Sequence, residues 1–341
     1  MNKLLSIIIP TYNMEKYLHK CLDSLIVSDE NMQLLEVLVV NDGSKDSSSR
    51  IAHEYEDKYP QSFRVIDKEN GNYGSCINRG LKEAKGKYIK VIDADDYSDP
   101  YNLNLFIIFL SKIDTDAIVS DFDVVSSNGT ITQKKVFSQL FYSEKTVIPF
   151  SEFARNKGDI TLPMHSLTYN LKMVRDIDYK QTEGISYTDQ EWATIPMTMV
   201  KRICYYHQSV YKYLIGREGQ TMANYYDVAN PRHLFVVIKN IAYYYQEQSY
   251  EHIYDRFIKQ RLIKLLKSIY YSGLRDHTIK IEELISYDRE IQSYPRVYAL
   301  TDELKLYHNH IDFVKYWHSG NKLKYFVYVV IPVKLRNILK K

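Results

Sequence analysis

The sequence predicts an α/β fold, a mainly parallel sheet flanked by helices, followed by an α-helical C-terminal region. Three observations carry this reading. Strand and helix signals alternate from residue 4 to residue 92, the strands are apolar throughout, and after Asn230-Pro231 the composition turns to long helical patterns. Strands that are apolar on both faces and separated by helices belong to parallel sheets covered on both sides.

Leu4–Ile9 reads as a buried first strand, and Met14–Val27 as a helix with Tyr17, Leu18, Cys21, Leu22 and Leu25 on one stripe. Leu35–Val40, Phe63–Asp67 and Tyr88–Ile92 are the next strands, with helices over Ser47–Tyr59 and Tyr73–Ala84 between them. Asp99 and Pro100 suit the N-cap and first turn of a helix running to Lys112. Ala117–Ser126 and Thr130–Phe137 read as strands about the Asn128-Gly129 turn. From Ser151 to Asn224 the pattern is mixed and loop-rich. Helices are then expected over His233–Glu247, Tyr250–Ser272, Ile279–Ser293 and Leu300–His318, which gives two domains, 1–225 and 226–341.

Bulk properties exclude several classes. In 341 residues, 45 basic side chains face 42 acidic ones, and a net charge of +3 gives no reason to expect nucleic acid. Three widely spaced cysteines suggest neither a disulfide framework nor a zinc site, in keeping with a cytoplasmic location. The apolar run before Pro10 is too short for a signal peptide, and no segment approaches the roughly 20 apolar residues that span a bilayer. A processive synthase would need such spans.

The chemistry gathers at strand exits. Strand one leaves through Pro10-Thr11-Tyr12-Asn13, strand two through Asn41-Asp42-Gly43-Ser44, and strand four through Asp93-Ala94-Asp95-Asp96. Open α/β sheets bind ligands at that edge. Tyr12 has a ring that can stack on a planar base, and Asp42 can accept a hydrogen bond from a base or a ribose hydroxyl. The three carboxylates after strand four repel one another, so a bound cation is the simplest means of making the cluster favourable. Singly, each segment also reads as a turn or a helix cap.

These segments resemble the family 2 glycosyltransferases. Ile-Ile-Ile-Pro-Thr-Tyr-Asn, Val-Val-Asn-Asp-Gly-Ser-Lys-Asp, Asn70-Gly71-Asn72 through Asn78-Arg79-Gly80, and Ile-Asp-Ala-Asp-Asp stand in that family's order and spacing. The likeness is good over residues 4–110, looser over 110–220, and excludes the helical tail. It implies the GT-A fold, which is Rossmann-like, and inverting sugar transfer from a nucleotide-sugar. It places Thr11, Tyr12, Asn13 and Asp42 at the nucleotide, Asp93 and Ala94 beside the ribose or metal, and Asp93 and Asp95 at a divalent cation, Mn²⁺ or Mg²⁺. Asn72 stands where glycine is usual, Cys76 where alanine is, and Ile77 where many members have an arginine that Arg79 is expected to replace.

Displacement at a sugar also needs a general base. The resemblance puts it at Asp189, in the run Glu183–Trp192, although Thr188 replaces the usual glutamate; Glu191 is the substitute base. The same residues read as a capped short helix. Trp192 is expected either under a sugar ring or in the core, and the run Tyr211–Thr221, with Arg217 and Gln220, resembles the loop that closes the family's site and reads equally as a hairpin turn. His165 and His207 read as structural. Residues 322–341, apolar in the middle and basic at both ends, suit either a helix lying on an anionic membrane surface or one docked on the domain.

The expected activity is therefore metal-dependent transfer from a nucleotide-sugar, with UDP-sugars foremost, to a glycan or lipid-linked acceptor of bacterial surface-polysaccharide biosynthesis. Lipid-linked acceptors imply work on the inner face of the cell membrane. The alternatives are a noncatalytic nucleotide-sugar-binding subunit of an assembly complex and a sugar nucleotidyltransferase. The latter is disfavoured because no glycine-rich phosphate loop with Lys or Arg follows the first strand.

Overall fold

The computed structural model describes residues 3–155, 160–217, 230–247, 252–274, 279–304, 307–308 and 311–318. Gln220 and the 322–341 stretch lie outside the described residues. The chain divides into two compact units, Met1–Gln220 and Thr221–Lys341.

The first unit opens with β1 (Leu5–Thr11), α1 (Glu15–Asp23), α2 (Asp29–Leu34), β2 (Leu35–Asn41), α3 (Ser48–Lys58), β3 (Phe63–Asp67), α4 (Asn72–Glu83) and β4 (Tyr88–Val91). All seven residues of β1 and all seven of β2 are buried, and the polar Ser6 and Glu36 among them hydrogen-bond to each other at 2.5 Å. β3, β2, β1 and β4 lie side by side and parallel. β5 (Tyr97–Ser98), α5 (Pro100–Leu110), β6 (Ala117–Ser126), β7 (Ile131–Lys135), β8 (Val147–Pro149), α6 (Phe150–Ala154), β9 (Leu167–Asn170), α7 (Leu171–Asp176), α8 (Asp189–Thr194) and β10 (Arg202–Ile215) complete it. The full order is β3-β2-β1-β4-β9-β6-β10-β5, with β7 on β6 and β8 on β10. β9 enters antiparallel between β4 and β6, and β10 is parallel to β6.

The largest departure from the sequence reading is β10. Tyr211–Ile215 is not a loop but the end of this 14-residue strand. Its apolar stretches, Ile203–Tyr206 and Val210–Ile215, are separated by polar His207-Gln208-Ser209, where the pairing with β6 shifts register. That break disguises one bulged strand as two short segments. Asp99 caps α5 as expected, accepting from the Asn102 amide at 3.0 Å, with Pro100 in the first turn.

Packing inside the unit fixes the loop that leads to α8. Gly74 on α4 lies so close to the carbonyl of Thr182 that an added Cβ would overlap it. Asn78, one turn on, exchanges two 2.8 Å hydrogen bonds with the backbone of Gln181. Gly74→Ala is accordingly expected to destabilise the unit by ~1–3 kcal/mol, the usual cost of overpacking. A thermal melt checks this, and an unchanged midpoint would contradict the close approach.

The second unit contains α9 (Pro231–Glu247), α10 (His252–Leu274), α11 (Ile281–Gln292), α12 (Pro295–Tyr298) and α13 (Phe313–His318). The expected single helix over Leu300–His318 is instead a 3₁₀ turn, Ala299–Glu303, an antiparallel pair of two-residue strands, Tyr307–His308 and Ile311–Asp312, and then the short α13. Among the described residues no helix is long and apolar enough to cross a membrane.

Candidate active site

Because β1, β2 and β4 run parallel, their C-terminal ends open at one edge, and short contacts tie them together. The amide of Asp42 donates to the Thr11 carbonyl at 2.8 Å. Asn13, with φ of 54°, donates its amide to Ser44 Oγ at 3.1 Å while its side chain accepts from the Lys45 amide at 2.8 Å. Thr11 is buried, and Tyr12 stands out from the surface at 45 % exposure with its ring free to stack on a base.

Asp42 is buried at 2 % exposure and satisfied by several donors. Its Oδ1 accepts from Lys68 Nζ at 2.5 Å and from the Gly71 amide at 3.0 Å, and its carbonyl accepts from Asn70 Nδ2. Lys68 leaves β3 at the same sheet edge, and the sequence reading passed over it. Its signal was available, since it is a charged residue at a strand exit beside two already singled out. Asn72 explains its own departure from the family pattern: it adopts the left-handed conformation, φ 68°, which asparagine tolerates better than other residues with side chains. Cys76 and Ile77 face the core, both fully buried.

The acidic run is equally well held. Asp93 accepts from the hydroxyl of Tyr73 at 2.8 Å, and its amide donates to Tyr211 Oη at 3.2 Å. Burial and the neighbouring Asp95 push the Asp93 carboxyl well above the ordinary range, with Asp189 adding to the rise. Asp189 is therefore within electrostatic reach of the cluster. Asp96 is buried and accepts from the Tyr211 hydroxyl and, at 2.7 Å, from the Leu214 amide, so it serves to lock the turn onto β10. Asp95 is paired with Arg217, the first residue beyond the turn that follows β10, which also places its guanidinium 5.7 Å from the Tyr17 ring. The structure thus brings Arg217 to the acidic run. Asp93, Asp96 and His165 bring ligand atoms within 4.8 Å of one another.

Glu191 and Arg79 are placed differently from expectation, and Trp192 takes the core alternative. Glu191 does not face an open site: it is 1 % exposed, and its two oxygens accept from the amide and hydroxyl of Thr182, each at 2.8 Å. Trp192 is core, 1 % exposed and edge-on to Tyr169 at 5.3 Å, so it offers no face to a sugar. Arg79 lies on the outer face of α4, bonded to Glu83 one turn away at 3.1 Å rather than turned to the nucleotide. Asp189 begins α8 half-buried, and its Oδ2 accepts from Gln190 Nε2 at 2.6 Å. Thr188 sits at the N-cap position, but its hydroxyl accepts from Gln181 Nε2 at 2.9 Å instead of capping the helix. His207 pairs with Asp121 at 2.8 Å, away from the acidic run.

The sheet edge thus gathers an exposed aromatic ring, a buried carboxylate braced by a lysine and an acidic run with Asp189 in electrostatic reach. Comparisons with known proteins agree with that geometry. Residues 6–173 match the family described as Glycosyl transferase family 2. Over 246 residues, 70 % of the chain, it is 27 % identical to the poly(ribitol-phosphate) β-N-acetylglucosaminyltransferase TarS of Staphylococcus aureus, although this segment spans only 39 % of that protein. The structure of TarS 1–349 in complex with UDP-GlcNAc superposes with a TM-score of 0.71 at 23 % identity, covering 95 % of this chain and 90 % of that one. The mannosyltransferase PcManGT of Pyrobaculum calidifontis, in complex with GDP-Man and Mn²⁺, gives 0.55 at 14 % identity, covering 96 % and 86 %. Over residues 6–173 the chain is therefore similar to glycosyl transferase family 2, and its fold is the GT-A fold of the TarS structure.

Proposed function

We propose that this chain is an inverting glycosyltransferase that moves a sugar from a uridine diphosphate donor to a hydroxyl of a glycan or lipid-linked acceptor in surface-polysaccharide assembly. The observation that carries the reading is the convergence of three strand ends. They set Asp42 at one end of a crevice and Asp93 and Asp95 at the other, with Asp189 within electrostatic reach of the acidic end. Residues 1–225 form the catalytic domain in this reading.

Tyr12 stacks on the base, and Asp42, braced by Lys68, accepts from it or from the ribose. Asp189 takes the proton from the acceptor hydroxyl. The acceptor oxygen then forms its bond to the anomeric carbon from the face opposite the diphosphate, the bond from that carbon to the diphosphate oxygen breaks, and the electron pair leaves with UDP. A single displacement of this kind inverts the anomeric configuration. Arg217 supplies positive charge beside the departing diphosphate.

A divalent cation suits the residues present, because oxygen donors dominate the group and a hard ion takes few protein carboxylates. Asp93 and Asp95 would hold it, with His165 near. When bound, Mn²⁺ or Mg²⁺ supplies Lewis-acid stabilisation of the leaving diphosphate. Support for uridine comes from TarS, whose solved complex holds UDP-GlcNAc.

A donor screen by thermal unfolding in Mn²⁺ tests the reading. Ligands that bind only the folded state raise its melting temperature in proportion to occupancy. UDP-sugars are expected to raise it, and CDP- and GDP-sugars to have little effect. A shift confined to guanosine donors would overturn the donor assignment. Protection by UDP-sugars without turnover on any acceptor would favour the noncatalytic binding subunit.

A further inference from the structure

Lys90 is the one charged residue of β4, a strand whose four residues are all buried, and Lys90 itself is 0 % exposed. Burying an ammonium is costly unless its protons are satisfied. Here Nζ donates to the carbonyl of His165 at 2.8 Å and to that of Leu167 at 3.2 Å, and it stands 5.6 Å from the centre of the Tyr211 ring.

The location gives these bonds a purpose. β4 pairs with β9 only through Tyr88 and Ile89, whereas β9 stays paired with β6 as far as Leu167. At Lys90 the sheet therefore opens between β4 and β9, and the long side chain bridges the gap to the carbonyls on the other side. Of the two residues it grips, His165 lies in the 3₁₀ turn Met164–Ser166 and Leu167 opens β9 directly after it. That imidazole packs on Tyr211 at 4.8 Å and Tyr213 at 4.4 Å, and its buried Nδ1 has no hydrogen-bond partner among the described residues. Tyr211 in turn bonds both Asp93 and Asp96. A methionine of similar length would fill the same space without the cost of a buried charge, so the ammonium must serve something besides packing.

We propose that Lys90 is a positioning residue of the donor site: it pins the turn bearing His165 and, through Tyr211, which locks the acidic turn by way of Asp96, sets Asp93 in the geometry that cation-dependent nucleotide binding requires. This rests on the donor-site reading above. Lys90 touches no reacting atom, so its effect falls on binding in the presence of the cation.

Calorimetric titration of UDP into the full chain, in Mn²⁺ and in EDTA, tests it with wild type, Lys90→Met and His165→Ala. Taking the donor away from two carbonyls costs stability, so Lys90→Met is expected to stay folded but to melt below wild type. Its UDP affinity in Mn²⁺ is expected to fall about ten- to a hundredfold, as for other groups that support metal ligands, with little change in EDTA. His165→Ala reaches the same turn from the other side and should reproduce the loss, while the double variant loses no more than either alone. Wild-type affinity in Mn²⁺ for Lys90→Met, or for His165→Ala should Lys90→Met fail to fold, overturns the proposal. A wild-type protein that binds no UDP in Mn²⁺ overturns the donor-site reading itself, and this inference with it.

Discussion

Asp189→Asn is expected to slow sugar transfer by about two to four powers of ten while leaving affinity for the UDP-sugar nearly unchanged. The size of the effect is that of removing a general base from a step that must take a proton in the transition state. The separation of rate from affinity follows from position. Asp189 sits at the start of α8, and the groups that hold the nucleotide end come from β1, β2 and β3. Asparagine preserves the size of the side chain and its contact with Gln190, so a fold defect is not expected to contribute. Loss of the charge also removes a small part of what holds the Asp93 carboxyl above its ordinary range, so donor binding is expected to tighten slightly rather than weaken. UDP release at saturating donor and calorimetric donor affinity, measured on the same preparation, check both halves. Unchanged turnover would remove the base assignment.

Asp95→Asn is the second large effect, an expected loss of about 10²–10³ in transfer, the scale on which a charge-stabilising group at a leaving group is felt. Unlike Asp189→Asn, it is expected to abolish the response to added Mn²⁺, because it removes the carboxylate on which Arg217 and the diphosphate end of the site converge. The neighbouring Asp96→Asn provides the contrast. Asp96 is buried and spends its oxygens on Tyr211 and Leu214, so its loss should lower the melting temperature through the turn it locks. A Mn²⁺ titration of initial rates separates the two. A retained cation response in Asp95→Asn would move the ligand role to another carboxylate.

The parts of this protein that were legible in its sequence are those where local pattern and global position coincide. Four apolar runs separated by helical stripes can form little but parallel strands, and the polar residues that follow each run necessarily meet at one edge. The sequence therefore assigns Asp42, Asp93 and Asp95 to strand exits on one sheet edge, and the parallel β1, β2 and β4 end on one edge. The second half resisted because its geometry depends on contacts distant in sequence. β9 slips antiparallel between β4 and β6, and β10 hides its length behind a bulge, neither of which leaves a local period to read. Glu191 and Trp192 carry the right chemistry for a site, yet Thr182, Tyr169 and Tyr179 claim them for the interior. Arg79 was a candidate because a cation was missing from the family's position. The structure sets a cation elsewhere, at Lys68 against Asp42, and turns Arg79 outward to Glu83. Lys90 was in plain view as a charge in an otherwise apolar strand, but only the opening of the sheet beside it gives it a task.

Titration of UDP into the wild-type protein, once in Mn²⁺ and once in EDTA, tests the central claim most directly, since it asks whether one crevice holds both the nucleotide and the cation. The account predicts binding that is at least tenfold tighter in Mn²⁺ and that loses this advantage in Asp95→Asn. Equal affinity in both buffers, or binding that Asp95→Asn leaves unaltered, would contradict it.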